Sequence, residues 1–273
     1  MKYEAIRGFF AQDDPLADAA KIGPVPARFG LLDETEGRWE NLLNKIKTLN
    51  DTAAGASQYK LIIFARHGQG QHNVAQDKYG MDAWVSKWGA LNGDGEIVWG
   101  PDRDLTSRGE TEAAAANAMW TTERRAGIPI PIPEKLYCSP ITRAMQTQQI
   151  TFNGVTSQAA VVLESLRELY GADTCDKRQS KSYIQQRFPH LEIEAGFTEE
   201  DELWTTERET VLHATERAYS VLERIFEDDK DSIVISITAH TGIISAFLPV
   251  LGRAPYELPT GGVLPIVVKA SAA

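Results

Sequence analysis

Two histidines in this chain stand at the same kind of place. His67 follows the apolar run Leu61-Ile62-Ile63-Phe64-Ala65-Arg66 and precedes Gly68. His240 follows Ile233-Val234-Ile235-Ser236-Ile237-Thr238-Ala239 and precedes Thr241-Gly242. Each run reads as a buried strand, and each stops at an imidazole followed by a turn. In an open parallel sheet, ligands bind outside the carboxyl ends of strands. Arg66 adds a cation beside the first imidazole, and Gly68 and Gly70 let the backbone approach a ligand closely or adopt positive φ. The chemistry on offer is anion binding with a nucleophile at its centre. Arg-His-Gly alone is a short string that a structural histidine also satisfies. Two such units bring two imidazoles to one sheet edge.

Other polar residues fall at comparable positions. Lys135 to Cys138 reads as a short strand, and Ser139-Pro140-Ile141-Thr142-Arg143 opens a helix with Ser139 as N-cap and Pro140 in the first helical position. That puts Arg143 in a first turn, where anions are favoured and a guanidinium can add a bidentate grip on phosphate. Glu168 follows a strand expected at residues 161–163 and serves either as a general acid or as a loop cap. Residues 173–196, with Cys175, Asp176, Arg178 and His190, read as a polar, irregular excursion that lines a pocket. Trp84, Trp88 and Trp99 either line the pocket or pack, and packing is the commoner role.

The remaining elements must position these groups. Residues 1–38 read as irregular, and Trp39, Leu42, Leu43, Ile46 and Leu49 then recur at helical spacing. Ser107 and Glu110 have the spacing of a capping box, and residues 205–226 read as one long charged helix. Residues 263–268, interrupted by Pro265, read as an edge strand before a frayed end. The organisation expected is an N-terminal extension, residues 1–58, with one helix packed on the core, followed by an α/β domain over residues 59–273.

Composition removes several function classes. With 38 acidic and 28 basic residues, the net charge of −10 argues against a general nucleic-acid binder. A few local arginines can still outweigh a diffuse negative field at contact distance. Two cysteines, Cys138 and Cys175, make neither a disulfide framework nor a Cys-rich zinc site, which favours a reduced, cytoplasmic chain. No signal-peptide core is evident. The stretch 233–252 lacks charge over the length of a membrane span. Its β-branched alternation and its interruption by His240, Gly242 and Pro249 fit a strand, a turn and a helix better.

Five elements, in order, resemble the histidine phosphatase superfamily, also called phosphoglycerate mutase-like: Arg66-His67-Gly68 with Asn73; Leu105-Thr106-Ser107-Arg108-Gly109; Ser139-Pro140-Ile141-Thr142-Arg143-Ala144-Met145-Gln146-Thr147; Leu166-Arg167-Glu168; and His240-Thr241-Gly242. The resemblance spans residues 60–250. The fuller string Arg66 to Asn73, with Cys175-Asp176-Lys177-Arg178, is similar to a fungal and plant subgroup. One departure is Glu112, where many members carry Gln; on a helix, it is expected to lie away from the chemistry.

The resemblance implies an α/β fold, three-layer α/β/α with a mostly parallel central sheet. It implies His67 as the nucleophile that forms a phosphohistidine, its other ring nitrogen hydrogen-bonded to set the tautomer. Arg66, Arg143 and His240 would form a cationic pocket, Asn73 and Thr241 would add substrate contacts, and Glu168 would protonate the leaving oxygen and then activate water. No metal and no cofactor are expected, because no ligand spacing demands one. The expected partner is a small anionic, phosphorylated molecule, a monoester or diphosphate, rather than nucleic acid or a membrane. Three rivals remain: a phosphoglycerate-type mutase, a same-fold enzyme that uses His67, Glu168 and His240 for proton transfer on a carboxylate, and a binding-only protein.

Overall fold

The apolar run before His67 forms a ten-residue strand whose inner residues are buried on both faces. The computed structural model of the chain describes residues 1–272. In chain order its strands are β1 (Lys2–Ile6), β2 (Ser57–Arg66), β3 (Lys135–Cys138), β4 (Val161–Val162), β5 (Glu192–Ile193), β6 (Val234–Ala239) and β7 (Val263–Ser271). Its α-helices are α1 (Ala19–Ile22), α2 (Arg38–Ala53), α3 (Gln71–Tyr79), α4 (Met81–Ser86), α5 (Ser107–Arg124), α6 (Thr142–Phe152), α7 (Lys181–Arg187), α8 (Val211–Asp228) and α9 (Thr241–Val250). All seven strands form one sheet in the order β1-β7-β2-β6-β3-β4-β5. The run from β2 to β5 is parallel, and β7 is antiparallel to both of its neighbours.

The alternation along β2 builds the layers. Leu61, Ile63 and Ala65 share a core with Trp39 and Ile46 of α2, Trp120 of α5 and Met145 of α6. Ile62 and Phe64 share the opposite core with Leu222 of α8 and Phe247 of α9. A one-residue slip would exchange these two sets, so burial on both faces fixes the register. The result is the three-layer α/β/α arrangement expected from the sequence.

Several local expectations are corrected. Residues 1–38 are not wholly irregular: Lys2–Ile6 pairs with β7 and forms the sheet edge. β7 is therefore interior, not an edge strand, and extends to Ser271. Its Pro265 is tolerated because β1 pairs no further than Val267, leaving the missing N–H opposite no ladder partner. The excursion 173–196 contains α7 and β5. Helix α8 starts at Val211, not Thr205, because the Thr210 hydroxyl caps it, accepting from His213 N–H. Thr106, not Ser107, caps α5, accepting from Gly109 N–H at 3.0 Å. Helix α6 starts at Thr142, where the buried Asp102 carboxylate takes the capping role, accepting from Thr142 N–H at 2.7 Å and its hydroxyl at 2.8 Å.

Candidate active site

The carboxyl ends of three neighbouring strands converge. His67 N–H donates to Ala239 O at 3.0 Å, and Ser139 N–H donates to Thr238 O at 3.0 Å. His67, Ser139 and His240 thus continue β2, β3 and β6 by one residue each, and the rings of His67 and His240 lie 5.0 Å apart. Above them opens a cleft of about 210 Å³, bounded by Arg66, His67, Asn73, Arg143, Glu168 and Thr241 among others.

His67 is held in one tautomer. Its Nδ1 lies 2.6 Å from the carbonyl oxygen of Gly68, an acceptor only, so Nδ1 carries the proton. Nε2 is left with its lone pair, toward which Arg143 Nε donates at 3.2 Å. Burial, reinforced by the guanidiniums of Arg143 and Arg66, pushes the imidazole pKa well below its ordinary value, which keeps the ring neutral. Gly68 serves this arrangement sterically rather than through a left-handed backbone. A β-carbon there would overlap the carbonyl of Gly109 at the start of α5. Glu112, expected to lie away from the chemistry, accepts from Gln69 N–H at 2.8 Å and ties α5 to the same loop.

His240 is buried, and its Nε2 lies 2.7 Å from Ser139 Oγ. That oxygen already accepts from Ile141 N–H, so its own proton can go to Nε2, leaving the His240 proton on Nδ1. Among the described residues Nδ1 has no hydrogen-bond partner, and neither has the buried Nε of Arg66. Burial lowers the His240 pKa well below its ordinary value, so it enters the cleft as a neutral imidazole, not as part of a cationic set.

Arg143 is fully enclosed. Besides Nε, its Nη1 donates to Cys175 O at 2.8 Å and its Nη2 to Asp176 Oδ1 at 2.8 Å. The other Asp176 oxygen faces Arg208 Nη1 at 3.4 Å, and Arg208 Nη2 pairs with Asp173 at 2.5 Å. Trp84 Nε1 donates to the same Asp173 oxygen, Oδ2, that Arg208 engages. The tryptophans 84, 88 and 99 therefore pack together behind the cleft, with Trp84 holding Asp173; none lines it. Asp173, Cys175 and Asp176 lie close enough to hold a cation, but two guanidiniums already engage both carboxylates.

Glu168 is fixed by two N–H groups: Leu169 N donates to Oε1 at 2.9 Å and Gly242 N to Oε2 at 3.0 Å. A side chain at position 242 would overlap this carboxylate, which accounts for the glycine after His240-Thr241. Arg217 of α8 donates to the carbonyls of Ser165, Arg167 and Glu168, clamping the turn that carries Glu168. Asn73 points its Oδ1 at Gly70 N–H, 2.9 Å away, and closes the first turn of α3.

The structure thus brings Arg66, His67, Asn73, Arg143, Glu168, His240 and Thr241 to one place. Sequence reasoning assigned no role to His72, Gln76 or Arg208, which also face the cleft, whereas Asp173, Cys175 and Asp176 reach it from the excursion expected to line a pocket. His72 could have been noticed inside the same string as His67. Arg208 was hidden in a stretch read as helix, and no local pattern marks a residue whose partner is a distant loop.

Residues 62–261 match the sequence profile described as "Histidine phosphatase superfamily (branch 1)". Over 98% of this chain and 84% of the relative, the chain is 36% identical to "Probable phosphoglycerate mutase" of Arthroderma benhamiae. It is 34% identical to "Phosphomutase-like protein 3" of Candida albicans, over 98% of this chain and 80% of the other. Among solved structures, the ecdysone phosphate phosphatase of Bombix mori superposes with a TM-score of 0.50 at 16% identity, covering 76% of this chain and 88% of that one. Among the described residues no helix is long and apolar enough to cross a membrane.

Proposed function

Because the chain belongs to the histidine phosphatase superfamily, we propose that it is a metal-independent phosphatase acting on a small organic phosphate monoester or diphosphate through a phosphohistidine. The observation that carries this reading is the state of His67: Nδ1–H spent on the Gly68 carbonyl, and the Nε2 lone pair presented in a cleft beside Arg143. Nε2 attacks phosphorus, a P–N bond forms, and the bond from phosphorus to the leaving oxygen breaks. Glu168 delivers a proton to that oxygen, then takes one from the water that attacks phosphorus and returns the electron pair to Nε2. The guanidiniums of Arg66 and Arg143 and the Nδ1–H of His240 stabilise the equatorial oxygens. Positive charge comes from the two guanidiniums, which is why the scheme needs no metal. In a chain of net charge −10, local cations select a small anion rather than a nucleic acid.

The names of the two relatives, a phosphoglycerate mutase and a phosphomutase-like protein, favour a second reading, transfer of phosphate within a phosphoglycerate. Purified protein, without added metal, is assayed on 4-nitrophenyl phosphate, on sugar and nucleotide phosphates, and on 3-phosphoglycerate. Release of inorganic phosphate that disappears in His67→Ala supports the hydrolase. Conversion of 3-phosphoglycerate to its isomer without phosphate release supports the mutase. Undiminished turnover in His67→Ala overturns both.

A further inference from the structure

His72 follows Gln71 in the first turn of α3, and its ring centroid lies 5.4 Å from that of His67. Its Nδ1 and the Cδ of Arg143 both border Gly70, so the ring and the shaft of the arginine that points at His67 flank the same glycine. Two imidazoles, of His67 and His72, line the cleft and a third, of His240, is buried beside His67; the three are not equivalent. Both nitrogens of His67 are engaged, and Nε2 of His240 is held by Ser139. Among the described residues no hydrogen bond to protein engages the His72 ring, although the residue is only 8% exposed and what exposure it has is to the cleft. A ring kept only for packing would gain nothing from two polar nitrogens in such a place.

The charge balance gives those nitrogens a use. The cleft lining offers three guanidiniums, of Arg66, Arg143 and Arg208, against three carboxylates, of Glu168, Asp173 and Asp176. The carboxylates largely offset the guanidiniums, so a phosphate dianion needs further N–H donors. We infer that His72 is a further ligand of the phosphoryl group, donating a ring N–H to one of its oxygens. This rests on the phosphatase reading and extends its set of phosphate contacts by one. In the free cleft His72 is neutral, because burial and the cations of Arg143 and Arg66 oppose its protonation, with His67 and His240 as neutral neighbours. A bound dianion reverses that local field and allows the ring to take up a proton.

The test uses the full chain and two variants, His72→Phe, which keeps a ring of similar size, and His72→Gln, which keeps an N–H donor. Competitive inhibition of 4-nitrophenyl phosphate hydrolysis by inorganic phosphate is measured for each. The inference expects about tenfold or greater weakening in His72→Phe, the loss of one hydrogen bond to a charged group, and much less in His72→Gln. Wild-type inhibition in His72→Phe, or equal losses in both variants, overturns it. Should His72→Phe fail to fold, ring 15N shifts of wild-type His72 are followed during titration with orthovanadate. Movement toward the hydrogen-bonded or protonated range supports the contact, and unchanged shifts overturn it. Activity lost in His67→Ala with normal phosphate inhibition in both His72 variants would sink this inference alone.

Discussion

Asp176→Asn is the change that tests the buried charges most sharply. Among the described residues Asp176 is the only carboxylate paired with Arg143, at 2.8 Å, and it also faces Arg208. Burial pushes its carboxyl above the ordinary range against the pull of these guanidiniums, and the same pair holds Arg143 charged. Removing the negative charge leaves the Arg143 cation enclosed without a counter-ion. Breaking a buried pair from one side costs about 3–5 kcal/mol. The low end applies, because an asparagine oxygen and the Cys175 carbonyl can still accept from the guanidinium. At roughly 2–4 °C per kcal/mol for a chain of this size, the melting temperature should fall by about 6–12 °C. Inorganic phosphate then supplies the missing countercharge, so it should raise the melting temperature more in the variant than in the wild type. Differential scanning fluorimetry with and without phosphate reads both effects. A variant as stable as the parent, or one that phosphate stabilises no more than the parent, refutes this account of Arg143.

Other perturbations follow from the same geometry. Burial raises the Asp102 carboxyl from 3.8 to about 6, so the folded chain holds that proton more tightly than the unfolded one. Stability from this group therefore rises as pH falls from about 6 toward 4, by roughly 3 kcal/mol in all. Asp102→Asn should remove that component when denaturation midpoints of the two proteins are compared across the range, and parallel curves would contradict it. Gly68→Ala should cost about 1–3 kcal/mol and most of the activity, since the added methyl meets the Gly109 carbonyl; chemical denaturation and a phosphatase assay read the two losses. Glu168→Gln should lower kcat while leaving inhibition by inorganic phosphate nearly unchanged, because its part lies in proton transfer rather than in holding the anion.

Much of this was legible before any coordinates, and the reason is physical. His67 and His240 end apolar strands, and the strand runs themselves signal burial on both faces. Arg143 follows a helix start, and Glu168 follows a strand. Local sequence carries those signals. What it could not carry were partnerships across the chain. Asp102 caps a helix that begins at Thr142, and Asp176 serves Arg143 and Arg208 together. β1 makes β7 an interior strand, although Pro265 speaks for an edge. The neutral state of His240 also depends on its burial beside Arg143, which local sequence does not carry, so the cationic role that the resemblance implied for it is corrected only by the fold.

The most direct measurement is to trap the phosphoenzyme. Protein mixed with 4-nitrophenyl phosphate is quenched in alkali within one turnover, digested and analysed by mass spectrometry. The account predicts a phosphoryl group on Nε2 of His67, absent when that residue is alanine. Turnover that proceeds with no phosphorylated residue, or with the group on another side chain, would contradict it.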